Sequence, residues 1–418
     1  MKTSFTILFT ILINGITFSQ PNCAQTSVGY IPINDLGTGI STQTGQMGGL
    51  YPNGSNYLPL VHKAAGLSFA SQVQCLDANG NADAVNGKIV WMSIGLSNTT
   101  QETQQFIPIA NAFPGKNPKL TLVDGALGAH PAKVISSPGD PGYTEYWDTV
   151  SSRLTSAGVT ANQVQVIWFK SANPAAGTPI QSHYDSLVVQ FKRIMNEIKT
   201  RFPNVKLCYM ASRNYGGYAS TQLNPEPYAF WTGWAVKQVI EDQINGDAQL
   251  QYSGAGANAP WISWGIYLWA DGTTPRSDGL TWICPADYDP DGTHPSLIGE
   301  QKVANLLLNF FSTDSTTTPW FMGNGCSLTS VIENSISNSI SVFPNPFSTQ
   351  TTLRSDNFCK NATLTVYNSF GQTVKEINNI SGQAVILLRE NLSSGLYFVR
   401  LTQDNKVIAA GKLVITDE

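Results

Sequence analysis

Charge is scarce in this sequence: Asp, Glu, Lys and Arg make up 12% of its 418 residues, about half the roughly 25% usual in a soluble domain. The 24 basic and 28 acidic residues leave a net charge of −4, so there is no basic footprint for a nucleic-acid backbone. Disorder is excluded from the other side, because 42% of the residues are apolar and a chain of this length can bury large cores. Beyond the N-terminus no stretch approaches the roughly 20 uninterrupted apolar residues of a membrane span. Histidine is confined to four positions and cysteine to six. His62, His130 and His183 stand apart from any Cys or His partner and no CxxC occurs, which removes zinc knuckles and dithiol redox sites. No metal and no cofactor is expected.

The N-terminus is the exception. Met1-Lys2-Thr3 followed by the apolar run Phe5 to Ile16 has the layout of an export signal ending near Ser19. Gln20-Pro21-Asn22 before Cys23 lacks the apolar and small residues of a lipidation site. Cleavage near Ser19 leaves Cys23, Cys75, Cys208, Cys284, Cys326 and Cys359. An exported chain permits disulfides, and the spacing leaves their pairing open.

The pattern then divides. Residues 20–84, rich in Gly, Asn, Ser and Gln, read as an extension packed on the core. From 85 to 312, strand-length apolar runs alternate with segments of helical period, the mark of βαβ units and a parallel sheet. Lys88 to Ile94, Lys119 to Val123, Val164 to Phe169 and Val205 to Ala211 are the expected central strands. Tyr184 to Phe202 and Val303 to Phe311 repeat apolar residues at three and four, giving helices with one apolar face. The polar run Ser312 to Pro319 opens an expected linker over 313–332, and 333–418 reads as a small all-β sandwich of short runs punctuated by turn residues.

That tail resembles the C-terminal sorting domain of type IX secretion cargo, through Val342-Phe343-Pro344-Asn345-Pro346-Phe347, Val366-Tyr367-Asn368, Gly395-Leu396-Tyr397-Phe398-Val399-Arg400-Leu401 and Gly411-Lys412-Leu413-Val414-Ile415. The resemblance implies export through the periplasm and outer membrane of a Gram-negative bacterium, with the type IX machinery as partner, followed by release or surface attachment.

In a parallel α/β sheet, functional groups collect outside the carboxyl ends of the strands. Gly95-Leu96-Ser97-Asn98 follows the first strand and offers a hydroxyl on a strand-to-helix turn, with free backbone N–H groups beside it. At the far end of the domain, Asp291-Gly292-Thr293-His294-Pro295-Ser296 precedes a helix, with Pro295 suited to its first position. His294 is placed to take a proton from Ser97 while Asp291 fixes its tautomer.

These blocks resemble the SGNH or GDSL hydrolase superfamily over roughly 88–311, and that resemblance implies a three-layer, flavodoxin-like catalytic domain. Matched residue by residue, Ser97 is the nucleophile, Asp291 and His294 complete the triad, and Gly128 is the glycine oxyanion donor, with Gly125 competing. Asn173 matches the asparagine donor, with Asn214 as the alternative. Leu96 stands where a GDS loop has Asp, and no Gly-x-Asn-Asp is present. The Gly-x-Ser-Asn form is nearer the carbohydrate acetylesterase branch, which implies an acylated glycan or small molecule as substrate. A non-catalytic carbohydrate-binding protein and a long-chain lipase or thioesterase are the rival readings.

Asn98, His130, Arg213, Trp264 and Trp269 are the candidate substrate contacts. Trp231 and Trp234 belong in the core, whereas Trp264 and Trp269 fall in a Gly- and Pro-punctuated region where indoles can stack on a sugar. Arg213 and Glu226 are open to either substrate binding or an internal ion pair. Asp287-x-Asp289-x-Asp291-Gly292 begins like a calcium loop, but Pro295 and Ile298 occupy its ninth and twelfth positions. Asp287 and Asp289 then read as solvated or turn carboxylates.

Overall fold

The computed structural model describes residues 20–323, 325–326, 341–368, 372–403 and 406–417. The export signal expected over 1–19 lies outside them. The chain divides into two compact units, 1–327 and 328–418.

The helices of the first unit are α1 (Ile33–Leu36), α2 (Leu60–Ser71), α3 (Ser97–Ala112), α4 (Ala132–Ile135), α5 (Pro141–Ser156), α6 (Ile180–Arg201), α7 (Tyr228–Ile244), α8 (Leu297–Thr313) and α9 (Thr318–Phe321). Its strands are β1 (Ile89–Gly95), β2 (Leu120–Asp124), β3 (Val164–Lys170), β4 (Leu207–Met210) and β5 (Trp261–Trp264). They form a parallel sheet of order β2-β1-β3-β4-β5, the flavodoxin-like arrangement. Every residue of β1 and β3 is buried, as expected of strands covered on both faces.

Strand order decides where the helices go. The step from β1 to β2 runs one way across the sheet and the later steps run the other, so right-handed crossovers put α3 on one face and α5, α6 and α7 on the other. Contacts agree: α8 packs with α3, whereas α6 packs with α7. The direction reverses between β1 and β3, which opens a crevice at their carboxyl ends just where Ser97 begins α3.

Three features depart from the sequence reading. β5 is a fifth strand inside the tryptophan-rich region expected to be loop. α2 arises in the extension because its core-facing side is made of His62, Gly66 and Ala70, while Leu60 and Val61 point to solvent, so no apolar stripe marks it. A Cβ at Gly66 would lie 2.4 Å from the Trp261 ring, so glycine lets α2 approach β5. The unit also runs past 312, since Trp320 and Phe321 of α9 are fully buried and Cys75 is bridged to Cys326. A second disulfide, Cys23 to Cys284, ties the extension to the segment leading into Asp291. The remainder of the expected linker lies outside the described residues.

The second unit contains β6 (Ser341–Phe343), β7 (Gln350–Tyr367), β8 (Thr373–Leu388), β9 (Gly395–Gln403) and β10 (Lys406–Ile415), all paired antiparallel. In place of short runs throughout, β7 is one long strand whose halves are Thr351 to Arg354 and Ala362 to Tyr367. Register shifts between Arg354 and Ala362 break its ladder, and irregularities of this kind bend a strand. The first half pairs with β6 and the second with β9, around a core that includes Leu353, Leu364, Val399 and Leu413.

Candidate active site

Gly95 ends β1 where the chain must turn sharply into α3. A Cβ there would lie 1.9 Å from the Lys170 carbonyl oxygen at the end of β3, so only glycine fits. Its N–H donates to the Tyr146 hydroxyl at 2.9 Å, which anchors the loop from below. Leu96 is extended and Ser97 is the first residue of the 16-residue α3, its side chain at the helix N-terminus. The N–H groups of Ser97 and Gly128 have no hydrogen-bond partner among the described residues. They are free donors beside the hydroxyl, with the helix dipole adding positive potential.

The second loop is tighter than the sequence suggests. Pro295 does not open α8; Ser296 caps that helix by accepting from the Gly299 N–H at 3.3 Å. Instead, a bridge between Tyr288 and Pro295 closes a turn, with the Asp289 N–H donating to the His294 carbonyl at 2.9 Å. Gly292 makes the turn possible at φ +65°, and a Cβ on it would lie 1.9 Å from the Tyr218 carbonyl oxygen.

This turn aims His294 at Ser97. The Ser97 Oγ is 2.8 Å from His294 Nε2, and His294 Nδ1 is 2.5 Å from Asp291 Oδ2. The other carboxylate oxygen of Asp291 accepts the N–H groups of Thr293 and His294, each at 2.9 Å. Burial raises the Asp291 pKa, but the bonds from the His294 side chain and these two N–H groups outweigh it and hold the carboxyl below its usual range. An anionic Asp291 accepts from Nδ1–H, which leaves Nε2 free to accept the serine proton.

Of the two candidate glycines, Gly128 is the one beside the serine. A Cβ on it would meet only Ser97 Cβ, at 3.7 Å, whereas one on Gly125 would press into β1 at 2.5 Å from the Ser93 carbonyl oxygen. Asn173 lines the same cleft, held by the Lys133 N–H on its Oδ1 at 2.9 Å and by donation to Gln190 Oε1 at 2.7 Å. That leaves one amide hydrogen. Asn214 is buried outside the cleft lining, with neither side-chain polar atom paired.

A cleft of about 660 Å³ surrounds Ser97 and His294. Leu96, Ala129, Val134, Ala172 and Leu223 give it small apolar walls. The other candidate contacts fall differently. Asn98 is buried and spends its Nδ2 on the Thr293 carbonyl at 3.0 Å, bracing one loop against the other. His130 lines the cleft with Nδ1 donating to the Gly128 carbonyl at 2.7 Å, which fixes its tautomer. Arg213 is in the cleft floor, 3% exposed, bonded through Nε to Asn224 Oδ1 at 3.3 Å, with Nη1 unpaired.

Trp264 and Trp269 are core residues, not cleft residues. Both are buried, and their indole N–H groups are committed to the Leu50 carbonyl and the Glu226 carboxylate. The Trp264 ring packs against Tyr267, and the Trp269 ring against Phe230 and Tyr215, in the manner of a core. Glu226 does not ion-pair with Arg213. It accepts from Gly216 N, Phe230 N and Trp269 Nε1, and burial pushes its pKa up to about 7. Asp287 is not solvated: it is 2% exposed, accepts from Ile283 N and pairs with Lys302.

The support beneath the site belongs to no recognisable sequence motif. Glu102 on α3 and Lys170 at the end of β3 are both fully buried and paired. A lysine closing the largely apolar run Val166 to Phe169 was the available signal. The segment 131–140, which forms one wall of the cleft, carried none.

Residues 341–416 match the family model described as the secretion system C-terminal sorting domain. This tail is a type IX sorting domain. The chain is therefore cargo of that export route, bound for the cell surface or the medium. Among the described residues, no helix is long and apolar enough to cross a membrane.

No curated protein matches the chain. Among solved structures, PorZ, a surface component of the type IX system of Porphyromonas gingivalis, is 15% identical and has a TM-score of 0.17. That match covers 24% of this chain, which spans only 14% of PorZ. A candidate acylhydrolase from Bacteroides fragilis is 12% identical, with 63% of this chain and 100% of that one covered and a TM-score of 0.32. The periplasmic domain of a lipopolysaccharide acetyltransferase from Salmonella ser. Paratyphi A is 12% identical, with 61% and 97% covered and a TM-score of 0.29.

Proposed function

We propose that the first unit is an exported serine esterase that removes short acyl groups, acetyl in the first instance, from a carbohydrate. The observation that carries this reading is the unbroken chain from Ser97 Oγ through both nitrogens of His294 to Asp291, at 2.8 and 2.5 Å, in the wall of an open cleft. Ser97 Oγ attacks the ester carbonyl carbon as its proton passes to His294 Nε2, and Asp291 stabilises the imidazolium. The N–H groups of Ser97 and Gly128 and the remaining amide hydrogen of Asn173 receive the oxyanion. Collapse breaks the carbon–oxygen bond, and the departing alkoxide takes the proton back from His294. Water then repeats the sequence on the acyl-serine, releasing the acid and restoring the hydroxyl. The apolar side chains in the cleft, among them Leu96, Val134 and Leu223, offer a surface for the acyl chain. Burial of Trp264 and Trp269 removes the aromatic platform on which a purely carbohydrate-binding role would rely.

The reading is tested by incubating the protein with a fluorophosphonate probe and mapping the adduct by mass spectrometry. One adduct, on Ser97, that disappears in His294→Ala is expected. Labelling elsewhere, or none on folded protein, overturns it.

A further inference from the structure

The cleft continues. Beyond Lys133 and Asp140, which line both spaces, it passes into a broad side chamber of about 470 Å³ that is open to solvent. The lining becomes more polar: beside Ser97 the walls include Leu96, Val134 and Leu223, whereas the chamber is formed by hydroxyl, amide and charged groups with Pro141 its main apolar member. Two exposed cations stand at its rim, Lys133 and Arg193, and neither side chain has a hydrogen bond or ion pair among the described residues. The one carboxylate, Asp140, is engaged with the Gly142 N–H at the start of α5. Gln190 connects the chamber to the reacting centre, because its Oε1 holds the Asn173 amide at 2.7 Å and its own NH₂ is unpartnered.

Resting on the esterase reading, we propose that this chamber is the subsite for the alcohol side of the substrate, and that the sugar seated there carries a carboxylate. Lysine and arginine left unpaired among hydroxyl and amide groups form a receptor for an anion, and the guanidinium of Arg193 matches a carboxylate in two-point geometry. Two cations and one carboxylate leave a local charge of about +1, which suits a monoanion better than a phosphate, whose charge near neutrality is roughly −1.5 to −2. The polar lining supplies the hydrogen bonds that sugar hydroxyls need, and the acyl group then reaches back to the apolar walls at Ser97. The substrate class is an acylated acidic glycan.

Binding to the full exported chain carrying Ser97→Ala separates this from catalysis. Titration calorimetry would compare trigalacturonate, the neutral xylotriose and glucose 6-phosphate. Trigalacturonate is expected to bind at least about tenfold more tightly than xylotriose, and Arg193→Gln to erase that difference while Arg193→Lys restores part of it. Equal affinity for the charged and neutral trisaccharides, or an unchanged preference in Arg193→Gln, overturns the proposal. Tighter binding of glucose 6-phosphate than of trigalacturonate overturns the carboxylate assignment. A chamber that binds trigalacturonate in a protein whose wild type cleaves no ester would refute the catalytic reading alone. An active esterase without charge preference would refute the chamber alone.

Discussion

Lys170 Nζ lies 2.5 Å from Glu102 Oε1 with both side chains fully buried, which joins the end of β3 to the helix that begins at Ser97. Burial lowers the Lys170 pKa to about 8 and raises that of Glu102, each shift partly offset by the partner. Removing one member strands the other. Lys170→Met is expected to cost roughly 3–5 kcal/mol, and Lys170→Met with Glu102→Leu to recover much of it. Urea unfolding of wild type, single and double variants measures both values.

The tight turn at Gly292 makes a second claim about position. At φ +65° a side chain is strained, and any Cβ would strike the Tyr218 carbonyl. Gly292→Ala is expected to cost about 1–3 kcal/mol in unfolding free energy for the backbone strain alone, with a fall in ester turnover as Asp291 and His294 shift. Unfolding curves and initial rates measured on the same preparation test both parts.

Asp291→Asn preserves the shape of the turn but no longer favours the productive tautomer of His294. Turnover is expected to drop by about 10⁴-fold with the fold intact, by analogy with the same change in other serine–histidine–aspartate sites. Circular dichroism alongside the rate separates chemistry from unfolding.

His183 offers a test of pH dependence away from the cleft. It is buried against Tyr228 with Nε2 unpaired, and burial pushes its pKa down to about 4. Below its ordinary value of about 6.5 the unfolded chain takes up a proton that the folded chain refuses. The contribution to stability is therefore complete above about pH 6.5 and lost progressively towards pH 4. Across that range the melting temperature of His183→Phe is expected to fall less steeply than that of wild type. Parallel slopes would contradict this.

Much of the fold was legible because period and burial agree in the central elements. β1 and β3 are buried throughout, and α6 turns one apolar face inward, so composition and periodicity speak directly. β5 escaped because Trp261–Trp264 is short and lies among other tryptophans, and α2 because its inward face is made of small residues and a histidine. Ser97, Asp291 and His294 were legible because each is carried by a local motif with its own turn chemistry. The walls of the cleft were not: Lys133, Val134 and Leu223 meet Ser97 only through the folding of segments far apart in sequence. Aromatic content misled at Trp264 and Trp269, since the preference of indole for apolar surroundings is met equally by a core and by a sugar face.

The proposed function turns on Ser97 as a nucleophile activated by His294. Its decisive test is the initial rate of p-nitrophenyl acetate hydrolysis at pH 8 by the full exported chain and by its Ser97→Ala variant. Hydrolysis by wild type is expected, with at least about a 10³-fold lower rate in a variant of the same melting temperature. Equal rates for the two folded proteins would contradict it.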